Sequence, residues 1–232
     1  MRQALLALLL AAAPAGAQDC ATDAVIVFDG SASMAEIGAD AARPTRIVEA
    51  RAALARVLPE VEDVRRIGLV TYGPGGANAC SGIRLALPPM PRAAAPAVTA
   101  LDALEPSGLT PLAAAVEMAA EALDYRRRPA IVVLVTDGDE TCGGRPCALS
   151  ERLARDAADL TVHVIGFRAE GGELFAWDSP EQRVSEDSVA RCLSDRTGGV
   201  FADARDVEAL TQALRIVLGC LVVGRATAGR LP

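Results

Sequence analysis

Five oxygen-bearing side chains are placed where they could hold a metal ion. Asp29, Ser31 and Ser33 lie in the run Asp29-Gly30-Ser31-Ala32-Ser33, and Thr110 and Asp137 follow far down the chain. Two carboxylates and three hydroxyls make an all-oxygen donor set. Such a set suits a hard divalent cation, Mg²⁺ above all with Mn²⁺ or Ca²⁺ as alternatives, and disfavours zinc. In a turn leaving a strand every second side chain can face one side, so the three oxygens of Asp29-x-Ser31-x-Ser33 can approach one ion. Gly30 keeps the backbone narrow between them. Two carboxylates balance the ion's charge, and hydroxyls add coordination without over-neutralising it. The ion would then stay electrophilic toward a carboxylate from outside.

The elements around these residues predict where they meet. Ala24 to Phe28 is a continuous apolar run ending at Asp29-Gly30, as expected of a strand buried on both faces. Ile131 to Val135 is the most hydrophobic strand and stops at Thr136-Asp137-Gly138. Further strands are read at 67–72, 83–87 (stopped by Pro88-Pro89), 161–167 and 198–202. Helices are read at 46–58 (ended by Pro59), 93–104, 110–125, 148–158, 189–196 and from a cap at Asp206 to about 219. Thr110 followed by Pro111 is read as the start of the third helix. Alternating strands and helices predict a doubly wound, mostly parallel six-stranded α/β sheet in a single domain. Right-handed crossovers gather the carboxyl ends of the strands at one rim, where open sheets bind ligands. Asp29 and Asp137 both end buried strands there, where an unpaired carboxylate is costly.

Composition narrows the class. The 232 residues carry a formal net charge of −7, with pI about 4.9, which argues against a protein that binds nucleic-acid backbones. All 23 basic residues are arginine. Arg2, the apolar run Ala4 to Ala13 and the small residues Ala15-Gly16-Ala17 predict a signal peptide over about residues 1–17. The domain is then expected at 18–220, with a short tail at 221–232 that cannot span a membrane. Six cysteines in an exported chain read as disulfides, with 15 possible pairings. Cys142 and Cys147 are close enough to close a small loop and are the expected pair, and Cys20 and Cys220 flank the domain. No Cys-x-x-Cys occurs and His163 is the only histidine, so a zinc site is not expected.

With order and context included, the runs Asp29-Gly30-Ser31-Ala32-Ser33, Gly108-Leu109-Thr110-Pro111-Leu112 and Thr136-Asp137-Gly138 resemble the metal-ion-dependent adhesion site (MIDAS) of von Willebrand factor A domains. The resemblance covers about residues 22–219. It implies that Ser31 and Ser33 bind the ion directly, and that Thr110 does so when a ligand is engaged. Asp29 and Asp137 would act directly or through water, and an Asp or Glu of a protein partner would complete the shell. The stretch from Asp137 to Cys147 also resembles a bacterial exported subgroup with two cysteines just beyond the metal aspartate, read here as a local brace. The implied function is an exported, periplasmic or secreted adhesion module, expected to be a monomer with no enzymatic activity. The alternative is a metal-dependent hydrolase or phosphatase on a similar sheet. Phosphatases that use a strand-end aspartate need a second Asp two residues on, where Ser31 stands, and a later lysine, of which there is none. There is also no Gly-x-Ser-x-Gly elbow or triad histidine.

The remaining candidates have plainer readings. Asp139 and Glu140, close to the metal aspartate, and Glu36 and Asp40 after the first motif could support the site from behind its ligands, but read more plainly as solvated loop charges. His163 reads as a packed or edge histidine. The long loop 168–187 carries Phe175 and Trp177, which are candidate partner contacts at the rim or, alternatively, aromatics packed back onto the domain.

Overall fold

The structure is a computed structural model; it describes residues 21–37, 44–76, 79–167 and 190–219. The predicted signal peptide, Cys20, Asp40, Phe175, Trp177, Cys220 and the tail lie outside the described residues. Six strands, β1 (Ala24–Asp29), β2 (Ile67–Tyr72), β3 (Arg84–Met90), β4 (Pro129–Thr136), β5 (Asp159–Phe167) and β6 (Phe201–Ala204), form one sheet in the order β3-β2-β1-β4-β5-β6. Every neighbouring pair is parallel except β2 with the edge strand β3. The chain leaves β1 toward β2 on one side and returns through β4 on the other. The carboxyl ends of β1 and β4 therefore flank the switch in strand order, the crevice where such sheets take ligands.

Alternation within the strands builds two cores. Ala24, Ile26 and Phe28 of β1, with Ile131, Val133 and Val135 of β4, face α1 (Arg46–Val61), α2 (Ala94–Asp102) and α6 (Val207–Leu218). Val25 and Val27, with Val132 and Leu134, face α3 (Leu112–Ala122), α4 (Pro146–Asp156) and α5 (Arg191–Thr197). Both faces are covered, which is why these strands read as unbroken apolar runs rather than alternating ones. Among the described residues no helix is long and apolar enough to cross a membrane.

Several boundaries differ from the sequence reading for local reasons. Pro59 does not end α1, which continues to Val61. It sits in the last turn, where the lost N–H costs one bond, and Glu62 N–H still reaches the Leu58 carbonyl at 3.1 Å. Pro88 and Pro89 do not stop β3, because β3 is an edge strand and its pairing with β2 shifts register beside them. Thr110 is not the side-chain cap of α3, whose first residue is Leu112. Asp206 does cap α6, its Oδ1 accepting the Ala209 N–H at 2.8 Å.

Candidate metal centre

The turn after β1 places the first three oxygens. Gly30 is pressed so close to the neighbouring backbone that a Cβ there would stand 2.7 Å from the Tyr72 carbonyl oxygen. Asp29 is fully buried, and both its oxygens accept a bond. Oδ1 takes the Ser31 N–H at 2.8 Å, and Oδ2 takes the Thr136 hydroxyl at 2.6 Å. Thr136 is itself steadied by the buried Tyr72 hydroxyl, 3.1 Å away. Ser31 Oγ lies 3.1 Å from Ser33 Oγ, and Ser33 Oγ donates to Asp137 Oδ1 at 2.7 Å. Asp29, Ser31, Ser33 and Asp137 thus form one continuous polar cluster across the switch between β1 and β4.

Thr110 is tied through its backbone to the loop that follows Asp137, and none of its bonds among the described residues reaches the cluster itself. Its N–H donates to the Thr141 hydroxyl at 2.8 Å, and its carbonyl accepts the Thr141 N–H at 3.0 Å. The turn before it is tied to the first loop: Gly108 O accepts the Ala32 N–H at 3.2 Å, and Gly30 O accepts the Ser107 N–H at 2.9 Å. Gly108 is required there, with φ +73° and a Cβ position only 2.0 Å from the Gly73 oxygen. Three loops are therefore interlocked. Thr110 itself is buried.

Electrostatics at the rim are unbalanced. Burial, and then the negative charge of Asp29, push the Asp137 carboxyl up to about 7, while the Ser33 hydroxyl and Arg46 pull it down. Arg46 Nη1 donates to Asp137 Oδ2 at 2.8 Å. Burial also raises the half-buried Asp139 carboxyl to about 6. Among the described residues no group of three or more His, Cys, Asp or Glu side chains gathers as a cage. The candidate site has two carboxylates, and hydroxyls supply the other donors. Oxygen donors alone, with carboxylate charge in excess of the one arginine, fit a hard dication.

Two residues at the rim escape a sequence reading. Arg46 looks like an ordinary helix start. Glu140 is not a solvated loop charge: it is buried, and its Oε2 accepts the Ala113 N–H at 2.8 Å while Oε1 accepts the Cys142 N–H at 2.8 Å. It caps α3 from another loop, which is why Thr110 is spared that task. Only a Glu within reach of an uncapped helix start could have hinted at it.

The expected Cys142–Cys147 bridge is not formed. Cys142 pairs with Cys80 and Cys147 with Cys192, across separations of 62 and 45 residues. Cys147 belongs to α4, which begins at Pro146 and packs on α5, where Cys192 lies. Cys142, held by Glu140 before that helix begins, meets instead the β2–β3 loop that carries Cys80. The first bridge braces the Asp137 loop against a second rim loop rather than against itself. Two disulfides belong in an oxidising compartment. His163 is packed within β5, its Nδ1 accepting the Val200 N–H at 3.0 Å.

Known proteins place the chain. A family profile described as von Willebrand factor type A domain matches residues 24–140. The protein YwmD of Bacillus subtilis is 31% identical over 156 residues, covering 63% of this chain and 68% of its own length. The PilB minor pilin of Streptococcus sanguinis shares the fold at 14% identity with a TM-score of 0.61, over 89% of this chain and 64% of that one. Proximal thread matrix protein 1 of the mussel byssus, solved with zinc in its MIDAS motif, matches at 18% identity with a TM-score of 0.56, over 86% of this chain and 46% of that one. With its profile spanning β1 to the Asp137 loop, the chain belongs to the von Willebrand factor type A domain family.

Proposed function

We propose that this domain is an exported binding module that captures a carboxylate of a protein partner through a divalent cation. Asp29, Ser31, Ser33, Thr110 and Asp137 would hold the ion. The observation that carries this reading is the continuous cluster from Asp29 through Ser31 and Ser33 to Asp137, at the switch point of the sheet. When bound, the cation would supply an electrophilic position that an outside carboxylate can fill. Asp29 is held in place by the Ser31 amide and Thr136, and the two serine hydroxyls already face one another. The protein would therefore lose little conformational freedom on binding the ion. Mg²⁺ is the expected ion. Zinc occupies the MIDAS motif of the mussel protein, so Zn²⁺ belongs in the test beside Mg²⁺, Mn²⁺ and Ca²⁺. The two disulfides among the described residues support export, by way of the apolar amino-terminal segment. We read the domain as a monomer and as a binder rather than a hydrolase. Two residues after Asp29 stands the Ser31 hydroxyl, bonded to Ser33, where a general acid would be needed.

Thermal unfolding with each ion, before and after EDTA, tests the metal. Partner capture from the native source with and without EDTA tests its use. Ser33→Ala should abolish both while the fold survives; capture that persists in EDTA and in Ser33→Ala would reject a metal bridge. Mg²⁺-dependent phosphatase turnover lost in Asp29→Asn would establish the enzymatic alternative instead.

A further inference from the structure

Arg46 opens α1, yet its side chain belongs to the rim. Its backbone N–H is seated on the Glu36 carbonyl at 3.0 Å. Its Nη1 meets Asp137 Oδ2 at 2.8 Å, the Ser33 carbonyl at 3.4 Å and Glu36 Oε2 at 3.3 Å. The Arg46 and Asp137 side chains are 8% and 0% exposed, whereas Glu36 is 64% exposed and its charge is screened. The two oxygens of Asp137 are thus divided. Oδ2 faces the guanidinium, and Oδ1 faces the Ser33 hydroxyl on the side of Ser31 and Asp29. A buried cation so close to a dication site is electrostatically expensive unless it serves the site.

With both carboxylates ionised around a bound metal, Asp29 and Asp137 contribute two negative charges and Arg46, in contact with Asp137, one positive, so these three groups sum to one net negative charge. A dication turns that into one net positive charge. Without Arg46 the loaded site would be neutral.

We propose that Arg46 is a built-in counter-charge that sets the ligand class of the metal centre. It keeps the loaded site positive, so that an anionic carboxylate is preferred over a neutral amide or hydroxyl, at the cost of weaker metal binding. This rests on the metal reading above. Arg46 acts through Asp137 and through the field at the open position, so it is a positioning and specificity residue.

The test uses the full mature protein, with Mn²⁺ as the metal and acetate and acetamide as ligand probes at constant ionic strength. Mn²⁺ affinity is read by calorimetry and by the spin resonance of free Mn²⁺. Arg46→Gln should bind Mn²⁺ about tenfold more tightly than wild type, the scale of removing one like charge from a partly buried site. It should also lose about tenfold in acetate affinity with acetamide unmoved. In EDTA it should melt below wild type, and Mn²⁺ should raise its melting temperature by more than it raises that of wild type. Arg46→Lys, with the charge but without the fork, should restore acetate preference. If Arg46→Gln binds Mn²⁺ no more tightly than a wild type that does bind it, Arg46 only orients Asp137 and the inference falls alone. If neither protein binds Mn²⁺, the metal reading falls and takes the inference with it. A tight Arg46→Gln beside a non-binding wild type supports it.

Discussion

Asp23 and Asp137 are both buried aspartates bound to arginine, at opposite poles of the sheet. Asp23 precedes β1 at the amino-terminal pole, where its Oδ2 takes Arg128 at 2.8 Å and Arg66 at 3.4 Å. Nearby, Arg65 donates to the Thr22 carbonyl at 3.0 Å. One carboxylate there is held by two arginines. At the carboxyl pole two carboxylates, Asp29 and Asp137, have one arginine between them. The same residue types thus make a closed structural pair at one end and a site short of positive charge at the other. What separates a brace from a binding site is the charge left over.

The largest expected effect falls at the charge-deficient pole. Asp29→Asn should lower metal affinity about a thousandfold, since half the carboxylate charge at the ion is removed. Asp23→Asn should leave metal affinity untouched. Calorimetric titration of both variants checks this, and a metal-binding loss in Asp23→Asn would erase the distinction between the poles.

The carboxyl pole is made of loops, and the Cys80–Cys142 bridge ties two of them. Replacing both cysteines with serine should cost about 4 kcal/mol of stability, the loop-closure entropy of a 62-residue separation. It should also weaken metal binding several-fold. Chemical denaturation and a metal titration of the double variant read the two effects separately.

The arginines of the amino pole act as far as His163. Burial first, and then the charge of Arg65, lower its imidazole to about 4. The folded value lies below the ordinary 6.5, so the fold favours neutral imidazole. That contribution is fully present above pH 6.5 and is lost as pH falls from 6.5 toward 4. It amounts to about 3 kcal/mol at most. His163→Asn can keep an acceptor for the Val200 N–H but cannot titrate. The wild-type-minus-variant stability difference should therefore fall as pH drops through that window, and a flat difference would show that neither burial nor Arg65 acts on His163.

The smallest effect should come from Asp23→Ala. Its arginines are half exposed, and water can solvate them once the carboxylate is gone. A loss of about 1–2 kcal/mol in chemical denaturation is expected. A larger loss would mean that the amino pole depends on its carboxylate more than its half-exposed arginines imply.

Much of this was legible from the chain because it is local. Ala24 to Phe28 and Ile131 to Val135 are apolar without interruption because both faces are buried, and each run ends where an aspartate begins. Asp29-x-Ser31-x-Ser33 carries its own geometry in its spacing, and Asp206 caps the helix it directly precedes. Other features are set by partners far away in sequence. Arg46 lies 91 residues from Asp137, and Glu140 caps a helix 27 residues before it. Each cysteine of the expected local pair finds a distant mate, because α4 begins between them and turns Cys147 toward α5. Pro59 and Pro88-Pro89 are tolerated because a last helical turn and an edge strand can spare the donor. The sequence by itself determined where β1 and β4 end, which oxygen-bearing side chains are candidate donors, and the family. Only the tertiary structure decided how many charges face one another at the rim, since that count depends on which buried groups share a space too dry to screen them.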